Sequence, residues 1–136
     1  TSANLTGADL SDANLTGADL SGANLTNANL MNADLIGASL SNANLVNSDM
    51  GGVDLSGADL TNADLSRASL TNADLSGADL ANANLVNADL RNASMVSADF
   101  SDADLSGAKL GNTDFYQAIL RFANLTNTNL LNAVMT

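Results

Sequence analysis

Ala58-Asp59-Leu60-Thr61-Asn62, followed at once by Ala63-Asp64-Leu65-Ser66-Arg67, is the stretch from which the chain can be read. The same five-residue phrase runs in both directions without losing its frame. Every fifth residue from Leu5 to Met135 is large and apolar, which makes 27 consecutive positions, and 22 of them are Leu. The exceptions are Met50, Met95, Phe100, Phe115 and Met135. Two residues earlier the chain has Ala in 23 of 27 units, with Ser48, Val53, Thr113 and Thr128 in its place elsewhere. Between them stands mostly Asp or Asn.

A period of five excludes the usual elements. In a helix five residues advance by a net rotation of about 140°, so the Leu residues would scatter around the axis. In a flat strand an odd spacing sends successive Leu to opposite faces. Within one unit, however, Ala and Leu are two apart, so a short extended segment points both the same way. Two residues after the large residue come mostly Gly, Asn, Asp or Ser, as at Gly7, Asp12, Gly17 and Asn27. These are turn residues that tolerate tight backbone geometry. The expected fold is all-β: a coil of short extended sides and like corners, with Ala and Leu inside. The spacing leaves three and four sides per coil both open.

The units Ala8-Asp9-Leu10-Ser11-Asp12 and Ala58-Asp59-Leu60-Thr61-Asn62 match A(D/N)LXX, and the chain resembles the pentapeptide repeat family over its whole length. The resemblance implies a right-handed quadrilateral β-helix with four pentapeptides per coil and about seven coils. Such a solenoid would be about 32 Å long at about 4.8 Å per coil. An unbroken frame implies one domain over residues 1–136. The chain opens at Thr1 already inside the repeat, so a domain excised from a longer protein is expected. The family is abundant in cyanobacteria. Some members join the repeat to membrane segments, one of them needed to deposit heterocyst glycolipid, and such a parent is one expectation. Other members confer quinolone resistance; they resemble duplex DNA in size and charge and bind DNA gyrase. A DNA-mimicking inhibitor or protector of gyrase is therefore the alternative reading, although those proteins dimerise through a C-terminal helix for which nothing here corresponds.

Composition narrows the chemistry. The chain has no His and no Cys, which removes the Ser-His-Asp triad, the Cys nucleophile and the ordinary zinc site. Its Ser and Thr fall at fixed phases of the repeat, and no phosphate-binding loop is present. No catalytic residue, cofactor or metal site is expected, and the chain is not read as an enzyme. Fifteen Asp against four basic residues give a net charge of −11. That balance argues against direct nucleic-acid binding and against an anionic membrane surface. No apolar run is long enough for membrane insertion by this segment. No targeting signal fixes a compartment; the cytoplasm is the default, and a membrane-anchored parent is compatible with the sequence. In a four-sided coil Asp34, Asp54 and Asp74 would stack on one face and Asp59, Asp79 and Asp99 on the next. Calcium would need ligands from several directions, so these ladders are read as solvated faces.

What remains points to a protein–protein interaction module for an unidentified partner. The position after each large residue is usually Ser or Thr, and Met31, Ile36, Val46, Val86, Val96, Tyr116 and Leu131 break that rule. The basic residues Arg67, Arg91, Lys109 and Arg121 come late. Tyr116, Arg121 and Phe122, with Arg91, form the candidate interaction patch, because Tyr and Arg are favoured at interface hot spots. Neither end carries a sequence resembling a cap, so end-to-end self-association is also expected.

Overall fold

The computed structural model describes residues 3–135. The residue before each large apolar one forms a parallel bridge with the residue twenty places on, from Asn4 with Asn24 to Asp114 with Val134. Twenty residues are four five-residue units, so the register answers the question the spacing left open. The chain winds as a β-helix of four sides per turn, and the Asp34–Asp54–Asp74 and Asp59–Asp79–Asp99 ladders are both present.

Nearly every corner is made the same way. The amide of the Ala position donates to the carbonyl of the preceding Leu, as in Ala8 N–H to Leu5 O at 3.0 Å and Ala58 N–H to Leu55 O at 3.0 Å. The residue just before that amide takes positive φ at every corner, from 55° at Asn32 to 71° at Gly107. Gly adopts that region without strain and Asn and Asp do so at modest cost, which explains the composition of the position. Arg67, Ser97, Gln117 and Phe122 occupy it as well, at φ of 57–60°.

Successive turns of the coil are joined by three hydrogen bonds on each side. Leu55 N–H donates to Asp74 O at 2.7 Å and Gly57 N–H to Ser76 O at 2.9 Å, while Asp74 N–H donates back to Val53 O at 2.9 Å. Inside, Ala23 through Leu110 form one continuous column-packed core in which every inward Leu is fully buried. Phe100 and Phe115 lie inside too, edge to face with ring centroids 6.1 Å apart, so the larger residues are core adjustments near one end. Ser48 and Thr113, buried among the Ala, donate their hydroxyls to the carbonyls of Leu45 and Leu110, each at 2.8 Å. Thr128 does the same toward Leu125. Leu5, Leu10, Leu15 and Leu20, like Leu120, Leu125 and Leu130, are only partly buried, because they lie in the first and last coils of the described residues.

Two substitutions separate packing from backbone strain. Leu60→Ala removes a fully buried side chain from a lattice that cannot collapse around the gap, and should cost about 2–5 kcal/mol in urea unfolding. At Gly57 a methyl group would meet open space, so Gly57→Ala tests the left-handed corner alone and should cost about 1–2 kcal/mol. Arg67→Gly should do the reverse and raise the urea midpoint.

Candidate interaction surface

Outward-facing side chains follow their own rule. The Asp or Asn before each large residue turns its Oδ1 onto the backbone amide two residues on. Asp54 Oδ1 accepts from Ser56 N–H at 2.9 Å, and Asp74, Asp99 and Asn84 hold Ser76, Ser101 and Val86 at 2.8–3.1 Å. Where Ser or Thr follows, its hydroxyl often joins the same oxygen, as Ser56 does at 2.6 Å and Thr61 does on Asp59 at 2.7 Å. These are Asx turns, which satisfy an amide that neither the corner nor the next coil can reach. They account for the absence of Glu, whose extra methylene misplaces the oxygen. The ladders are therefore structural caps as well as solvated faces, a role that the sequence analysis did not identify.

Hydrogen bonds from Ser11 and Ser21 hold the carboxyls of Asp9 and Asp19 below the ordinary value. Asp89 is lowered chiefly by Arg91. The guanidinium reaches it through two nitrogens, Nε to Oδ1 at 2.8 Å and NH2 to Oδ2 at 2.7 Å, and Lys109 Nζ adds a contact at 3.3 Å. Among the described residues no group of three or more His, Cys, Asp or Glu is placed to hold a metal ion.

The candidate patch residues divide between corners. Tyr116 is 47% exposed and Phe122 is 73% exposed, on successive corners of the last coil. The Arg121 guanidinium lies over the Phe122 ring, 4.8 Å from its centroid. Arg91 stands on a different corner, two coils below Leu131, with its stem beside Gly111 and its charge occupied by Asp89. The structure thus gathers Tyr116, Arg121 and Phe122 into the last coil and sets Arg91 apart from them. It adds Ile119 and Val134, both about half exposed, where the rule calls for Asp or Asn. They had been legible in the sequence as breaks at the position before the large residue, whereas the breaks considered were those after it. With Leu131 they form an incomplete collar of apolar side chains on the final coil, interrupted between Phe122 and Leu131 by the exposed Asn124, Thr126 and Asn129. Met31 and Ile36 are exposed far from it.

Two measurements check this account. Asp54→Asn keeps the accepting oxygen and removes a charge from the middle of a ladder, so it should raise the melting temperature at low salt, with the gain shrinking as salt screens the charges. Asp54→Glu should lower it, by about 1 kcal/mol for the lost cap. Because the Asp89 carboxyl is lower in the folded state than the unfolded, its pairing stabilises fully above about pH 4 and is lost as pH falls through the folded value. Asp89→Asn should therefore flatten part of the acid loss of stability, by no more than about 1 kcal/mol.

Comparison with known proteins adds the family. The profile described as Pentapeptide repeats matches in eight copies, over residues 1–32, 28–67, 58–96, 68–107 and 98–136. No curated protein sequence matches the chain. Among solved structures, HetL, a pentapeptide repeat protein involved in heterocyst differentiation regulation from the cyanobacterium Nostoc sp. strain PCC 7120, is 35% identical with a TM-score of 0.69. The match covers 98% of this chain and 72% of HetL. QnrB1, a plasmid-mediated fluoroquinolone resistance protein, is 22% identical with a TM-score of 0.65, over 93% of this chain and 63% of that one. Rfr23, a pentapeptide repeat protein from the cyanobacterium Cyanothece 51142, is 35% identical with a TM-score of 0.42, over 79% of this chain and 64% of that one. The chain thus spans just under two thirds of QnrB1 and of Rfr23. Twenty-residue pairing, a left-handed corner in every unit and profile matches from end to end agree: this chain belongs to the pentapeptide repeat family.

Proposed function

We propose that the chain is a non-catalytic scaffold, one right-handed quadrilateral β-helix over residues 1–136 with about seven coils, whose C-terminal coil docks a protein partner. The observation that carries this reading is the collar. Tyr116, Ile119, Phe122, Leu131 and Val134 are exposed within twenty residues, on a rod whose other outward positions are mostly Asp, Asn, Ser and Thr. Apolar side chains exposed together on one coil cost solubility unless a partner covers them, and the Arg121–Phe122 pair adds a cation beside an aromatic ring. The role of HetL in regulating differentiation supports an adaptor working through such contacts, and the parent protein could present the rod from a membrane. Among the described residues no helix is long and apolar enough to cross one.

A second reading has its own support. Stacked Asp columns on two faces and a net charge of −11 suit a mimic of duplex DNA directed at gyrase. QnrB1 supports only the fold of that reading, at 22% identity. A supercoiling assay separates the two, since inhibition or protection of gyrase by this domain would favour mimicry.

The test of the leading reading is a photo-cross-linking amino acid placed at Tyr116, with Thr61 as an exposed mid-rod control, in lysate of cyanobacterial cells. Adducts at Tyr116 that are absent at Thr61, with capture lost in the Tyr116→Ala/Arg121→Ala double variant, are expected. Equal adducts at both positions, or capture undiminished by the double variant, would sink it.

A further inference from the structure

One cation on the rod stands apart from the others. Asp89 pairs with both Arg91 and Lys109, and Arg121 lies over the Phe122 ring. Arg67 makes no ion pair among the described residues. It stands in the left-handed corner position, at φ 60°, which Gly and Asn fill at lower cost. A residue that strains its backbone without a partner inside the fold points to a task outside it.

Its surroundings are neutral and partly apolar. Arg67 closes the side of the coil that runs through Asp64, Leu65 and Ser66, and bridges from Asn44 to Asp64 and from Asp64 to Asn84 set the coils on either side in register. The outward position just before Arg67 therefore reads Val46, Ser66, Val86 over three successive coils, between Thr26 and Ser106. Val46 and Val86 are half-buried, and both stand where the repeat calls for Ser or Thr. Asn44 and Asn84 direct their Oδ1 to the amides of Val46 and Val86. Asp64 Oδ1 accepts from Ser66 N–H at 2.9 Å and from Asn84 Nδ2 at 3.1 Å, so it serves its own cap and not Arg67. The backbone between these coils is paired, with Asn47 N–H donating to Ser66 O at 3.1 Å and Arg67 N–H to Val86 O at 3.0 Å. A strand has no edge to join here, and a partner must engage through side chains.

We infer that this surface binds an amphipathic α-helix of a partner protein, laid along the rod axis. Two apolar residues of the helix, seven apart, rest on Val46 and Val86, and a carboxylate between them meets Arg67. Spacing selects the helix. Val46 and Val86 are two coils apart, about 9.6 Å at the β-spacing. Residues seven apart in a helix share a face and are separated by about 10.5 Å. A strand places residues of one face about 6.8 or 13.6 Å apart, and misses one valine or the other. The carboxylate belongs three or four residues after the first apolar one. That is about one coil along and to one side of the apolar line, as Arg67 is. A guanidinium can hold both carboxylate oxygens at once, which fixes the register of the helix.

The surface is small and the binding weak, so it is read by NMR titration of the isotope-labelled chain with synthetic peptides. One helix-favouring peptide carries two Leu seven residues apart with Glu between them, and Lys and Ala elsewhere. Its control has Gln for Glu. On a rod of net charge −11, attraction without a site favours the more positive Gln peptide. The inferred site favours the Glu peptide, by roughly threefold for one exposed ion pair, with amide shifts centred on Val46, Arg67 and Val86. Arg67→Gly should abolish that preference while raising the urea midpoint, which separates a residue kept for binding from one kept for the fold. Val46→Ser/Val86→Ser, which restores the repeat rule, should weaken both peptides. Equal or tighter binding of the Gln peptide, a preference that survives Arg67→Gly, shifts spread over all four sides, or no shifts would overturn the inference. Shifts confined to Tyr116, Phe122 and Leu131 would overturn it as well, while leaving the collar as a docking surface. Cross-linking at Tyr116 involves none of Val46, Arg67 and Val86, so the two surfaces fail separately.

Discussion

A quarter turn must be made at every fifth residue, and it is made each time by one residue in the left-handed region. If a corner relaxes to ordinary φ, the next side no longer faces the axis and the coils above it lose their register. Left-handed φ is expensive for most side chains, so Gly and Asn dominate the position, and the Asx turn before it fixes the direction in which the chain enters the corner. The lattice of Leu columns depends on this geometry as much as it stabilises it. Side chains twenty residues apart can stack only because the corners are alike. The inward Ala is small for the same reason, as it lies where two sides converge.

Much of this was legible in the amino acids. Leu and Ala two apart, with turn residues two beyond, specify extended sides and corners around a filled interior. The number of sides was not legible, because three or four like corners both close a coil. Pairing of Asn4 with Asn24 shows that four is the answer here. The purpose of Asp and Asn was also hidden. Read for charge they are solvated ladders, and only coordinates reveal Asp54 Oδ1 closing on the Ser56 amide. Ser48, Thr113 and Thr128 met expectation, because a hydroxyl in that small space has one carbonyl within reach.

The candidate surface was legible in part. Tyr116, Arg121 and Phe122 stood out as breaks in the repeat, and the last coil gathers them. Arg91 looked like a fourth member by charge alone, yet sequence distance hides which corner a residue occupies, and its guanidinium is engaged by Asp89. Ile119 and Val134 are breaks of the same kind, one phase earlier. In so regular a chain, departures from the rule carry the information about surface, while adherence to it carries the fold.

The two-to-one direction of the hydrogen bonds between coils has an electrical consequence. Along each side one peptide dipole is left uncancelled, with its positive end toward the C-terminus. Four sides leave four such units per turn of the coil, or about 14 D at about 3.5 D per peptide. The contributions add along the rod, in the sense opposite to an α-helix, whose C-terminal end is negative. A molecule with a large negative net charge thus has one end of reduced negative potential, where Arg121 also lies. In an external field, or near another charged body, the rod carries a torque that orients it before any contact is made.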